Sequence, residues 1–200
     1  MAAHPTRFPA KFPYLISGRR LAIGHSRNQP PWRMEPLPYK ISTLVYLRNE
    51  AGELLLMKRN KSPNFGLWSP VGGKLEMATG ESPHCAAVRE VEEETGLTLS
   101  VHDLHLFGII AENNYENTCH WLMFLFDCQV TVNELPPPID EGTFGFIPEE
   151  EIDHLVIPDT DRMTLWPTYF KARHDFTVLR ADCAKGQPPV VHVDEKMHLR

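Results

Sequence analysis

The chain has no apolar run approaching the length that spans a bilayer, which takes about 20 residues as a helix. No membrane partner is expected. It also lacks an excess of base. With 20 Lys and Arg against 26 Asp and Glu the formal charge is −6, the wrong sign for a protein that clamps a phosphate backbone. A nucleic-acid polymer is therefore not expected as partner. Cysteine is scarce: Cys85, Cys119, Cys128 and Cys183 are widely spaced and form no C-x-x-C pair. That excludes the usual zinc and dithiol signatures and fits a reducing cytoplasm. His102, His105 and His120 do not recur at ligand spacing, and there is no internal repeat. Acid is missing altogether before Glu35, while Arg7, Lys11, Arg19, Arg20, Arg27 and Arg33 stand among several prolines. Transit peptides share that composition, but the prolines and weak amphipathicity favour a flexible, dispensable extension over residues 1–36.

What is present suffices for one buried core in 200 residues and is short for two. Lys40 to Arg48 is β-branched and mostly apolar, a buried strand. Asn49-Glu50-Ala51-Gly52 is a turn, and Glu53 to Arg59 returns as a hairpin. Leu99 to Ala111 and Thr118 to Val130 form a second hairpin around a turn at 112–117, with Trp121, Phe124 and Phe126 in the core. Glu149 to His154 reads as a short helix, Met163 to Arg173 as a second main helix and Phe176 to Ala181 as a last strand. Residues 184–200, with Gly186, Pro188 and Pro189, read as a loose C-terminal tail. Strands on both sides of one helix, with another helix to follow, predict an α/β fold whose mixed sheet lies between helices, over residues 37–183.

The stretch with most chemistry runs from Gly72-Gly73-Lys74 to Gly96-Leu97. Ser82-Pro83 opens a helix as N-cap and first residue, and Gly96 ends it. At helical spacing Glu90, Glu93 and Glu94 fall within an arc of roughly 100°, and Glu92 points away. Ala86 and Ala87 share that face and would let a ligand or loop approach. Like charges three and four residues apart repel, and a hard divalent cation, Mg²⁺ or Mn²⁺, would relieve them. The opposing reading is a solvated acidic face.

These residues resemble the Nudix box: Gly, five residues, Glu, seven residues, then Arg-Glu-apolar-x-Glu-Glu-x-Gly-apolar. Glu81 through Arg89-Glu90-Val91-Glu92-Glu93-Glu94-Thr95-Gly96-Leu97 fits the second half completely. In the first half Gly73 and Glu81 are seven residues apart, as if two had been inserted around Met77-Ala78-Thr79, a change a surface loop tolerates. The resemblance implies an α/β/α sandwich and a metal-dependent pyrophosphohydrolase. It implies that Glu90, Glu93 and Glu94 hold metal or activate water, with Glu81 assisting and Arg89 orienting a glutamate. It adds the carbonyl of Gly72 as a further ligand and an acid before a closing strand, Glu141, with Asp140 in reserve.

Substrate candidates are less sharply marked. Lys58, Arg59 and Lys61 precede Trp68-Ser69 and are candidates for phosphate contacts, Lys58 first among them. The segment Ile157-Pro158-Asp159-Thr160-Asp161 through Trp166 resembles the base-reading segment of the oxidised-purine branch of the same superfamily. There acids read the purine edge, which implies roles for Asp159, Asp161 and Trp166. Ile157 stands where that branch has a stacking tryptophan, and Ser69 where it has a base-binding asparagine. On the opposing reading Asp159 or Asp161 caps a helix and Trp166 is core. The expected activity is Mg²⁺-dependent cleavage of a nucleoside triphosphate, oxidised purines included, to monophosphate and pyrophosphate. The alternatives are ADP-ribose or nucleotide-sugar hydrolysis and a non-catalytic nucleotide sensor. The expected assembly is a monomer or homodimer.

Overall fold

The computed structural model describes residues 36–62 and 64–198. The expected N-terminal extension lies outside them except for Pro36. The fold follows from alternation in two strands, β1 (Tyr39–Arg48) and β2 (Leu54–Arg59). Val45, Leu47, Leu55 and Met57 enter one core, whereas Tyr46, Leu54 and Leu56 enter another. Successive strand residues point to opposite faces, so an apolar run of this kind requires a cover on each side. Helix α1 (Pro83–Thr95) supplies one through Ala87 and Val91. The other comes from a helix near the C-terminus, through Leu165, Trp166 and Tyr169. The result is the expected α/β/α sandwich.

The remaining strands are β3 (Trp68–Pro70), β4 (Leu104–Tyr115), β5 (Cys119–Thr131), β6 (Gly142–Ile147), β7 (Phe176–Asp182) and β8 (Val190–Met197). They join in the order β3-β2-β1-β5-β4-β7-β8, with β6 paired to β2 off that path. The β1–β5 and β4–β7 pairs are parallel and the others antiparallel. The sheet is therefore mixed.

Four expectations change. Residues 184–198, the described part of the expected tail, are not loose: β8 pairs with β7 from Phe176 opposite Met197 to Asp182 opposite Val190. The Gly and Pro cluster that suggested a tail makes a hairpin turn, with Gly186 at φ +78 and the Gln187 N–H donating to Ala184 O at 3.1 Å. The helix expected over 163–173 is two, α2 (Asp159–Met163) and α3 (Leu165–Ala172). Pro167 has no N–H to continue one helix from the other, yet fits a first turn, where that N–H has no helical partner. The β4–β5 hairpin is longer than read, because Glu112 to Tyr115 continue β4 and only residues 116–118 turn. Phe126 is fully buried, whereas Trp121 and Phe124 are half-buried.

Among the described residues no helix is long and apolar enough to cross a membrane. All four thiols are free.

Candidate active site

Helix α1 begins and ends where its sequence directs. Ser82 Oγ accepts the Cys85 N–H at 3.2 Å, and Gly96, at φ +74, donates to Glu92 O at 2.9 Å. Burial of Ala87 and Val91 sets the rotation of the helix. One turn from Ala87 and Val91 respectively, Glu90 is half-buried and Glu94 is buried at 9% exposure, while the Glu93 side chain stays 60% exposed. Ala86 and Ala87 are fully buried. Neither is open to a ligand, and Ala87 belongs to the core between α1 and the sheet.

Gly72 and Gly73 run antiparallel beside β1. Thr43 N–H donates to Gly73 O and Val45 N–H to Val71 O, each at 2.8 Å. Gly72 has φ +146, and a Cβ there would overlap the Thr43 carbonyl oxygen. A Cβ on Gly73 would overlap the Glu90 carboxylate. Only glycines let this backbone lie so close to both β1 and α1. The Gly72 N–H meets the acidic face, donating to Glu94 Oε2 at 3.1 Å.

Arg89 ties the preceding loop to the helix. Its Nε and Nη2 donate to the two Glu81 oxygens, both at 2.9 Å, a bidentate pair. Its Nη1 donates to Glu90 Oε1 at 2.8 Å and to Glu93 Oε2 at 3.1 Å, and its Nη2 also reaches Lys74 O at 3.1 Å. Glu81 in turn accepts the Glu76 N–H at 2.8 Å. Glu81 and Glu93 are thus held by the guanidinium, and the hydrogen bond from Arg89 keeps the Glu81 carboxyl below its ordinary range.

Glu90, Glu94 and Glu141 line a cavity of about 460 Å³ with Gly72 and Gly73. The Glu141 side chain is 47% exposed and accepts from Lys61 Nζ at 3.0 Å. Burial pushes the Glu94 carboxyl up to about 7, with Glu90 and Glu141 adding to the rise and the Gly72 N–H opposing it. Burial also raises Glu90 against the pull of Arg89. Among the described residues no three acids, histidines or cysteines converge as a ready metal cluster. The acids of the cavity near α1 are Glu90 and Glu94 with Glu141, an oxygen-only set. That set fits a hard cation that takes one or two carboxylates and keeps waters and phosphate oxygens.

Comparison with known proteins agrees with this geometry. The family model of the NUDIX domain matches residues 38–176, more than half of the chain. The chain belongs to the Nudix family. An RNA pyrophosphohydrolase of Erythrobacter litoralis is 27% identical over 143 residues, 62% of this chain and 85% of its own. The uncharacterized Nudix hydrolase YvcI of Bacillus subtilis is 28% identical over 120 residues, 60% of this chain and 72% of its own. A MutT protein from Bacillus halodurans superposes with a TM-score of 0.63 over 78% of this chain and 97% of its own, at 21% identity, a likeness of fold. The chain is a Nudix hydrolase acting on pyrophosphate bonds.

In this Nudix site the substrate candidates divide. Ser69 and Asp161 line the cavity, and so does Arg59. Lys58 does not: it is exposed on β2, and strand alternation turns it away from Arg59. Trp68 packs against the α3-side core and close to Gly145. Asp159 lines a neighbouring groove. Trp166, 2% exposed, packs with Tyr46, Tyr169 and Phe170, so its place is the core. Neither aspartate caps α2, whose N-cap is Pro158.

Sequence reasoning missed Glu112, which lines the same cavity at 3% exposure. Its signal was available: β4 alternation places it on the face of Ile110, an acid where an apolar residue belongs. Burial pushes its carboxyl up to about 8, with Asp161 adding to the rise and Thr160 opposing it. The folded state therefore holds this proton more tightly than the unfolded chain. That contribution to stability is complete below the ordinary glutamate range and is lost as pH rises through about 8. Glu112→Gln is expected to melt within a few degrees of wild type at pH 5. At pH 9 it is expected to be more stable by roughly 4 kcal/mol, or about 8 to 16 °C. Parallel thermal melts at the two pH values check this, and equal shifts at both would refute it.

Proposed function

We propose that this Nudix protein is a Mg²⁺-dependent pyrophosphohydrolase that converts a nucleoside triphosphate to monophosphate and pyrophosphate. One observation carries the reading: a single cavity joins the acidic face of α1 to a wall containing Tyr115, Trp121 and Met123. The first end suits a charged anhydride and the second a flat ring. Mg²⁺, with Mn²⁺ as substitute, would be held by Glu90 and Glu94, with Glu93 or Glu141 assisting. When bound it neutralises phosphate charge and lowers the pKa of a bound water.

The chain's own residues do the rest. Arg89 fixes Glu90 in place and fastens the 74–81 loop through Glu81. Glu90 and Glu94 present the carboxylates that hold metal or take the proton of the attacking water, which adds to phosphorus as the anhydride P–O bond breaks. Arg59, in the cavity wall, meets incoming phosphate. The four free thiols support a cytoplasmic setting, and the enzyme works as a monomer or homodimer.

The test is product analysis with Mg²⁺ present. The panel holds ordinary and oxidised nucleoside triphosphates, ADP-ribose, nucleotide sugars and, because one relative is named an RNA pyrophosphohydrolase, a 5′-triphosphorylated oligoribonucleotide. Nucleoside triphosphates are expected to yield monophosphate and pyrophosphate. Turnover confined to ADP-ribose, a nucleotide sugar or the oligonucleotide would reassign the substrate. Nucleotide binding with no turnover would make the protein a sensor.

A further inference from the structure

We propose that the groove adjoining the cavity is a substituent subsite, which takes a neutral alkyl or aryl group carried on an exocyclic nitrogen of the substrate's nucleobase. The inference rests on the nucleotide-hydrolase reading above and adds a class of substrate, nucleoside triphosphates alkylated at the base.

The position of the groove comes first. It encloses about 630 Å³, and Asn64, Tyr115 and Thr160 line both it and the catalytic cavity. Asn64 comes from the loop between β2 and β3, Tyr115 from the end of β4 and Thr160 from α2. The border is thus one residue from each of three elements, not a continuous strand or helix. The far side of the groove is the turn between β7 and β8, through residues such as Ala184, Pro188 and Pro189.

The direction of the ring comes second. Tyr115 belongs, with Trp121 and Met123, to the wall that suits a flat ring. With its sugar and phosphates toward α1, a ring on that wall turns its far edge to the border. In purines and pyrimidines the edge far from the glycosidic bond carries the exocyclic groups. A substituent on an exocyclic nitrogen therefore leaves the cavity by way of Tyr115 and Thr160 and enters the groove.

The lining gives the character of the occupant. Leu67, Pro158, Met163, Pro188 and Pro189 set apolar surface beside Tyr115. Met163 is 43% exposed, and methionine is the side chain that moulds most readily to an irregular apolar partner. Apolar surface of this kind gains from a ligand group that leaves water with it.

Charge excludes the competing occupants. Glu116, Asp159, Arg162 and Lys185 line the groove. The Arg162 guanidinium is already engaged, since Nη1 donates to Asp153 O and Nη2 to Leu155 O, both at 2.9 Å. That sets Lys185 against two carboxylates and leaves no surplus of positive charge. A second nucleotide of an RNA chain, or a further phosphate, would bring negative charge to a place without the cations that hold it. A neutral group with apolar surface meets no such cost.

The experiment compares N6-benzyl-ATP with ATP, and N2-benzyl-GTP with GTP, by pyrophosphate release with Mg²⁺ in wild type, Met163→Trp and Ala184→Trp. Both substitutions put an indole into the groove from residues that do not line the cavity. Wild type is expected to prefer the benzyl member of at least one pair by about threefold or more in kcat/KM, chiefly through KM. Each filled groove is expected to cut that ratio about tenfold while kcat/KM for the parent stays within about twofold. AMP, GMP and their benzyl forms are also titrated calorimetrically into wild type at several temperatures. The preferred benzyl ligand is expected to bind more tightly than its parent and with a more negative heat-capacity change, because apolar surface leaves water. This readout needs no variant and decides the matter should both tryptophan proteins fail to fold. A wild type that rejects both benzyl substrates, or shows no preference, overturns the inference. A preference that both filled grooves keep, or equal heat-capacity changes for benzyl ligand and parent, overturns it as well, since the group then lies in solvent. So does an equal loss on benzyl and parent substrates, the mark of a merely structural effect. Each of these leaves the hydrolase reading intact. If no triphosphate is turned over, that reading fails by itself and the monophosphate titrations decide: tighter benzyl binding with the heat-capacity difference upholds the subsite, and its absence overturns it.

Discussion

Glu94→Gln is expected to lower turnover at least about a hundredfold, some 2.7 kcal/mol of barrier, in a protein that stays folded. Glutamine keeps the shape of the side chain and an oxygen to accept the Gly72 N–H, now at 3.1 Å. What it removes is the negative charge that metal binding or proton transfer needs. Stability should move the other way. Because burial raises Glu94 to about 7, ionising it in the metal-free fold is unfavourable, and its contribution to stability is lost as pH rises through that value. Above pH 7 the metal-free variant should therefore melt no lower than wild type. Pyrophosphate release and a thermal melt at pH 8 test both halves. Glu90→Gln should show a loss of similar size, and near-normal rates in both variants would sink the assignment of the site.

Gly72→Ala should be the more damaging change to the fold. Its Cβ would overlap a backbone oxygen, that of Thr43, and its φ of +146 is one that alanine rarely adopts. A backbone atom in a sheet cannot step aside as a side-chain tip can. Strain and overpacking together should cost on the order of 4 kcal/mol, a large part of the 5–15 kcal/mol typical of a domain. At this size of chain that lowers the melting temperature by about 8 to 16 °C. Gly73→Ala makes the informative contrast, since its Cβ meets the carboxylate of Glu90, which can rotate away. That variant should fold and be inactive. Melting curves for the pair are the measurement, and a Gly72→Ala protein within two or three degrees of wild type would refute the argument.

The acidic helix was legible because capping residues and helical spacing act locally. Ser82, Pro83 and Gly96 fix its ends whatever the rest of the chain does. Which of its glutamates is buried was not legible. An arc of roughly 100° says that Glu90, Glu93 and Glu94 are neighbours, but only the packing of Ala87 and Val91 against the sheet turns Glu94 inward and leaves Glu93 outside. Glu112 escaped because Glu112-Asn113-Asn114 looks like a turn, while the β5 partner strand extends it as strand. The same kind of long-range pairing separates Asp161, in the cavity, from Asp159, two residues away in a different groove.

The strand Val190–Met197 gives the sheet a particular kind of border. It carries His192, Asp194, Glu195 and Lys196 on an exposed outer edge, and it covers β7, which is built from Phe176, Val178, Leu179 and Ala181. An open ladder on so apolar a strand would be a template for pairing with other chains, and charged side chains are a common guard against this. The strand therefore caps one edge of the sheet, with Val190, Val193 and Met197 exposed among its charges. A chain cut back to residue 183 would keep every residue of the cavity and bare the ladder of β7.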